Sequence, residues 1–183
     1  MSATLTPAER ETLLAIARHA IESYVRSGRL ALEEREEPAL NAKRGCFVTI
    51  HRRGELRGCI GIFVSAQPLW REVAAMAVSA ATRDPRFRPM EEWELDEFSL
   101  EISVLSELVK TDDPKQIEVG KHGIYLEQGA HRGVLLPQVA VEQGWDRLTF
   151  LRQTCVKAGL PPDAWTTPGL RLFIFTADLF GEP

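Results

Sequence analysis

The chain lacks most of what marks a membrane, secreted or nucleic-acid-binding protein. No apolar run approaches the ~18 residues of a spanning helix, so no membrane span is expected. Residues Met1 to Thr6 have neither a basic end nor an apolar core, so no secretory signal is expected. Cysteine is scarce and odd in number. Cys46, Cys59 and Cys155 stand far apart, which argues against a disulfide framework and for a reducing, cytoplasmic setting. Basic charge is not in excess: 22 lysines and arginines face 26 aspartates and glutamates, for a net charge of −4. A general grip on nucleic acid needs a basic face that releases counterions, so no nucleic-acid partner is expected.

Chemical signatures are also missing. The sequence has no Gly-x-Ser-x-Gly elbow, no phosphate loop and no dinucleotide fingerprint. It has no Cys-x-x-Cys pair, and His19, His51, His122 and His131 are scattered, so neither a metal nor a cofactor is expected.

What remains is an ordinary globular composition. Of 183 residues, 44% are apolar and 26% charged, enough for one domain or two small lobes without a staple. Thr6-Pro7-Ala8-Glu9 is a capping box with proline at the first helical position, and the helical spacing of Leu13, Ile16, Ala17, Ala20, Ile21 and Tyr24 predicts a helix over 7–27. The charged stretch Glu33 to Pro38 reads as a solvated loop. Residues 45–50 and 55–63 read as strands around an Arg52-Arg53-Gly54 turn. Pro68 opens an alanine-rich helix to about 82, suited to lying close on a sheet, and Asp84-Pro85 breaks it. Residues 98–105 alternate as a half-buried strand. Shorter strands are expected at 117–119, 123–127 and 133–136, with Gly129 to Arg132 as a hairpin turn and Pro137 as a strand end or an edge residue. Asp146 caps a third helix whose buried stripe is read as Leu148, Leu151, Cys155 and Ala158. Trp145 and Phe150 form a staple across its start, and Gly159 stops it. A last strand spans 170–176. The stretch 107–122 is the least structured and could join a larger lobe to a smaller one. Hairpins separated by single helices predict an α+β fold with a mainly antiparallel sheet flanked by helices and a smaller second subdomain.

The segment with chemical content is Gly54 to Gly61. Glycine weakens a strand unless something must approach its backbone, so Gly58 and Gly61 around Cys59-Ile60 suggest a backbone-lined pocket. Arg57, two residues before the sulfur, faces the same side on a regular strand and could favour the reactive thiolate or hold an anion. The structural alternative is a buried cysteine acting as a small hydrophobe, with the glycines forming a bulge. Gly58 to Gly61 also matches the Gly-x-x-Gly loop that clamps nucleic-acid backbones, but in a strand and with an apolar inner pair. Cys46 and Cys155 read as core. Lys43, Arg44, Arg52, Arg53 and Arg57 crowd the first hairpin, opposed within it by Glu55 alone, while Glu91 to Glu101 is acidic. These are two solvated faces, or else the hairpin is an anion-binding mouth to which Arg83 and Arg86 could add. Glu101, on the polar face of its strand, is solvent-exposed or a pocket residue.

Phe47-Val48-Thr49, Leu56-Arg57-Gly58-Cys59-Ile60-Gly61, Asp84-Pro85-Arg86-Phe87, Ile102 to Ser106, Arg132 to Val139, Gly144-Trp145-Asp146 and Lys157 to Trp165 together resemble the AMMECR domain family, in order over nearly the whole chain. The free-standing domain resembles most the prokaryotic branch associated with the AmmeMemoRadiSam system. The resemblance implies a single domain over 1–183 made of two intertwined subdomains. It also implies genomic company with a Memo-type protein, related in fold to class III extradiol dioxygenases, and with a radical S-adenosylmethionine enzyme. It supplies no reaction. The expectation is a cytoplasmic domain acting with those partners on an unidentified small-molecule or protein substrate. Cys59 is its candidate reactive group, and Arg57, Gly58, Gly61, Arg83 and Glu101 are candidate substrate contacts. The contrasting expectation is a non-catalytic module that presents a substrate to a partner enzyme.

Overall fold

Thr6 starts the first helix. Its hydroxyl accepts the Glu9 amide at 3.3 Å, and the Glu9 carboxylate accepts the Thr6 amide at 2.7 Å. Helix α1 (Pro7–Ser27) ends at Gly28, whose φ of +68° lets its amide return to the Tyr24 carbonyl. This computed structural model describes residues 4–183. The chain forms two compact units, one running to Leu105 and taking back Asp178–Pro183, the other Ser106–Ala177. Its architecture is α+β, with five α-helices and two four-stranded antiparallel sheets among the described residues.

In the first unit, α2 (Pro38–Asn41) leads to the hairpin of β1 (Cys46–Arg52) and β2 (Glu55–Ile62), then to α3 (Leu69–Thr82) and β3 (Phe98–Leu105). The sheet order is β2-β1-β3-β8, the last being the returning strand β8 (Ala177–Gly181). Cys46, Val48 and Ile50 of β1 and Leu100, Ile102 and Val104 of β3 point into a core with α1 and α3. The other face of β1 carries the half-buried Phe47, Thr49 and His51. The small residues of α3 let it sit directly on β2. A Cβ at Gly58 would stand 2.2 Å from the Ala80 carbonyl oxygen. The chain end is tied down by Arg18, which donates to both Glu182 oxygens at 2.7 and 2.6 Å and to the Phe98 carbonyl at 2.9 Å.

The second unit contains β4 (Val109–Thr111), β5 (Gly123–Gln128), β6 (His131–Leu135), α4 (Pro137–Glu142), α5 (Arg147–Lys157) and β7 (Arg171–Phe175), with sheet order β4-β7-β5-β6. Its core joins Ile124, Leu126, Leu172 and Ile174 to Phe150, Leu151 and Cys155. Asp146 caps α5 through the Thr149 amide at 2.7 Å.

Several expectations are corrected. Residues 117–119 form no strand. A 3-10 turn at Pro114–Gln116 delivers Ile117 alone into the core, while Val119 is exposed beside Gly120 at φ +88°. The stretch 107–122 is not a bare connection, since it holds β4. Pro137 ends no strand: it occupies the first position of α4, where a missing N–H costs nothing. The hairpin turn is Gly129-Ala130 alone, because His131 and Arg132 already pair with Gln128 and Glu127. Leu148 is exposed, and the buried side of α5 is Phe150, Leu151, Thr154 and Cys155.

Candidate functional site

The β1–β2 hairpin sets the geometry around Cys59. Thr49 pairs with Cys59 on one side and with Glu101 of β3 on the other, so Cys59, Thr49 and Glu101 form one row across three strands. All three are half-buried and lie on the face opposite the helices. The Thr49 hydroxyl donates to the Cys59 sulfur at 3.2 Å. Such close side-chain approach is typical of a pair that exchanges no backbone hydrogen bonds, which leaves the Cys59 N–H pointing away from β1. Because β2 is an edge strand, that N–H needs an outside acceptor.

Asp84 supplies it. Its carboxylate, buried just past the end of α3, accepts the Cys59 amide at 2.9 Å and the Arg86 amide at 3.1 Å. It also accepts Arg86 Nε at 3.0 Å and Nη2 at 2.7 Å. The Arg86 hydrogen bond is the main reason the Asp84 carboxyl lies far below the ordinary carboxylate range; burial opposes it, and the amides of Cys59 and Arg86 reinforce it. Arg86 in turn is held above its usual value, chiefly by its hydrogen bonds to Asp84 and against the cost of burial. Arg86 Nη2 and the Cys59 amide therefore share one Asp84 oxygen, which brings the guanidinium to the Cys59 backbone.

Arg57 is not on this side. The register jumps from Ile50 opposite Gly58 to His51 opposite Leu56, so Arg57 is the extra residue of a β-bulge. The alternation that would place it beside Cys59 breaks there. Its guanidinium instead forms a buried ion pair with Glu94 and lies 5.8 Å from the Phe87 ring centroid.

The two glycines have packing reasons. The space over Gly58 is taken by Ala80 of α3, and a Cβ on Gly61 would meet the Phe47 ring at 2.2 Å. At both positions the place a side chain would take is already filled. Arg83, at the end of α3, is exposed, with no ion-pair partner among the described residues. Glu101 likewise makes no ion pair among them, leaving its carboxylate uncommitted beside Thr49.

The hairpin's charge is opposed by more than Glu55. Arg52 and Arg53 share Glu97, with contacts of 2.7 and 3.0 Å, and Arg57 takes Glu94. Two acids of the 91–101 run, Glu94 and Glu97, thus lie against three arginines of the hairpin, so the two charged segments are not wholly separate faces.

Of the three cysteines, only Cys59 is not buried. Burial, reinforced by nearby Glu72, pushes the Cys46 thiol up, and burial does the same at Cys155. Sequence reasoning missed Thr49, which only the register reveals. It read Asp84 as a helix breaker, although an aspartate before a proline turn is also a ready acceptor for nearby N–H groups. Among the described residues no cluster of histidine, cysteine or carboxylate has the geometry of a metal site, and no helix is long and apolar enough to cross a membrane.

The AMMECR1 family model matches residues 14–180, and the chain belongs to that family. Protein MK0488 of Methanopyrus kandleri is 44% identical, covering 100% of this chain and 92% of its own. A Thermococcus gammatolerans protein is 46% identical over 94% of this chain and 89% of its own. The crystal structure of uncharacterized protein PH0010 from Pyrococcus horikoshii superposes with a TM-score of 0.82 at 41% identity, covering 94% of this chain and 90% of that one.

Proposed function

We propose that this AMMECR1-family protein works through the row Cys59–Thr49–Glu101. Cys59 is the reactive group, and Arg86, with the exposed Arg83 nearby in sequence, holds an anionic substrate beside it. The observation that carries the reading is the contrast among the thiols: two are sealed in cores, while Cys59 is half-buried, hydrogen-bonded by Thr49 and linked through its amide to the Asp84–Arg86 pair. The protein acts in the cytoplasm with a Memo-type protein and a radical S-adenosylmethionine enzyme on a small-molecule or protein substrate. The family resemblance supports that part of the proposal.

A second reading has its own support. Arg57, Gly58 and Gly61 are all explained by packing and ion pairing, as expected of a scaffold that presents a substrate to a partner enzyme. Complementation of a deletion strain separates the two. Under the first reading Cys59→Ala and Arg86→Gln fold but fail to complement, while Cys46→Ala and Cys155→Ala complement. Full complementation by Cys59→Ala leaves the scaffold reading. Co-purification of the chain with the two partner proteins tests the assembly separately, and a chain that retains neither would remove that part of the proposal.

A further inference from the structure

The stretch Glu33 to Pro38 reads in the sequence as a solvated acidic loop, yet one of its side chains is half-buried. Arg35 sits among Glu33, Glu34, Glu36 and Glu37 and forms an ion pair with none of them, nor with any other described residue. Its Nε is shielded from solvent and has no hydrogen-bond partner. A buried N–H donor without an acceptor is costly, and a charged one more so.

This side chain lines a cavity of about 360 Å³ between α1, the 29–37 loop and the start of α3. The volume lies within the ~300–1,000 Å³ range of small-molecule sites. Ala15, Ile16, Leu32 and Trp70 make its apolar walls, with His19 and Glu33 as its other polar residues. Glu33 is exposed, so water screens its charge. The walls are held in place: Asn41 Nδ2 donates to the Arg35 carbonyl at 2.7 Å, and Asn41 Oδ1 accepts Trp70 Nε1 at 3.2 Å. One side chain thus fixes both the loop and the indole. The cavity lies on the helix side of the first unit, while Cys59 is on the opposite face of the sheet.

We propose that this cavity binds a small organic carboxylate, its anionic end on the Arg35 guanidinium and its apolar body against Ile16, Leu32 and Trp70. A carboxylate supplies the ion-pair partner that the guanidinium lacks, and the apolar walls favour an organic body over a bare inorganic anion.

The test uses the intact chain and four probes: hexanoate and benzoate, with hexanamide and benzamide as neutral isosteres. Binding is followed by nuclear magnetic resonance at the Trp70 indole N–H, assigned with Trp70→Phe. The expected result is saturable shifts with one or both carboxylates and none with either amide. Arg35→Gln should weaken binding at least roughly tenfold with an unchanged melting midpoint. The proposal is overturned if neither carboxylate shifts the Trp70 signal, if the amides bind as well, or if Arg35→Gln binds like the parent chain.

Discussion

Glu94 receives Arg57 in a two-pronged ion pair, Nε to Oε1 at 2.8 Å and Nη2 to Oε2 at 3.0 Å, and Nη2 also reaches the Arg88 carbonyl at 3.1 Å. The side chains are 11% and 2% exposed. The pair fastens the segment before β3 to the bulge in β2. Removing one partner of a buried pair leaves the other charge uncompensated, at about 3–5 kcal/mol, so Glu94→Gln should cost that much in urea denaturation. The Arg57 hydrogen bond, acting against burial, also holds the Glu94 carboxyl below the ordinary glutamate value of 4.5. A carboxylate whose pKa is lowered by folding stabilises the fold above its unfolded value, and that contribution is lost as pH falls through the folded one. The stability gap between parent and Glu94→Gln should therefore be full at pH 7 and narrow below about 4.5. A gap that stays constant with pH would show that the ion pair is not its source.

Asp84 ties the Cys59 amide to the turn after α3. Asp84→Asn keeps the size of the side chain but loses the charge and one acceptor. It should destabilise the protein by ~1–3 kcal/mol and, more tellingly, speed hydrogen exchange at the Cys59 amide, which no other strand protects. Unchanged exchange at that amide would mean the carboxylate does not hold the strand edge.

The parts of the fold visible in the sequence were those fixed by local rules. The capping box of α1, the alternation of β3 and the Asp146 cap of α5 each depend on residues within a few positions of one another. What escaped depended on distant pairing. β4 and β8 are short strands whose existence rests on neighbours far along the chain. Leu148 fits a helical stripe, but one turn of α5 offers two possible inner faces, and the neighbouring sheet selected Phe150. At the candidate site, Cys59 was identifiable because glycines and an arginine surround it. Its true companions were not, because a single inserted residue turns Arg57 away, and because Thr49, Glu101 and Arg86 converge only through register and a turn.

Gly58 and Gly61 can be tested as packing positions. A Cβ at Gly58 would meet the Ala80 carbonyl of α3 at 2.2 Å, a backbone atom that cannot swing aside. Gly61 faces the Phe47 ring, which can shift, although the Cys46 carbonyl also lies 2.7 Å from where an alanine methyl would stand. Gly58→Ala should lower stability by ~1–3 kcal/mol or more, and Gly61→Ala by less. If Gly58→Ala keeps its melting midpoint while complementation is lost, the glycine serves a ligand and the packing account fails.

The inner face of α5 can be tested by contrast. Phe150 is fully buried and Leu148 is exposed. Phe150→Ala should cost ~3–5 kcal/mol, while Leu148→Ser stays within about 0.5 kcal/mol of the parent chain. Equal losses would restore Leu148 to the core.

The three thiols should react in a fixed order. Cys46 and Cys155 have no surface exposure, and burial pushes both thiols up, so at neutral pH each is both hidden and protonated. The thiolate is the attacking form, so both should label only when the fold opens. Cys59 is partly accessible, and the exposed Arg86 guanidinium shares an Asp84 oxygen with the Cys59 amide, placing it to draw in an anionic reagent. Native-state pulse labelling with a negatively charged disulfide reagent, read by mass spectrometry, should modify Cys59 first and the other two at the rate of unfolding. Arg86→Gln should slow the reaction of Cys59 with the charged reagent more than with a neutral one, because the loss is of attraction and not of access. Raising the salt concentration should reproduce that difference in the parent chain, since screening weakens an exposed guanidinium. If Cys59 labels no faster than Cys46, or if charged and neutral reagents slow alike in Arg86→Gln, then Arg86 does not attract anions to Cys59 and the proposed site loses its basis.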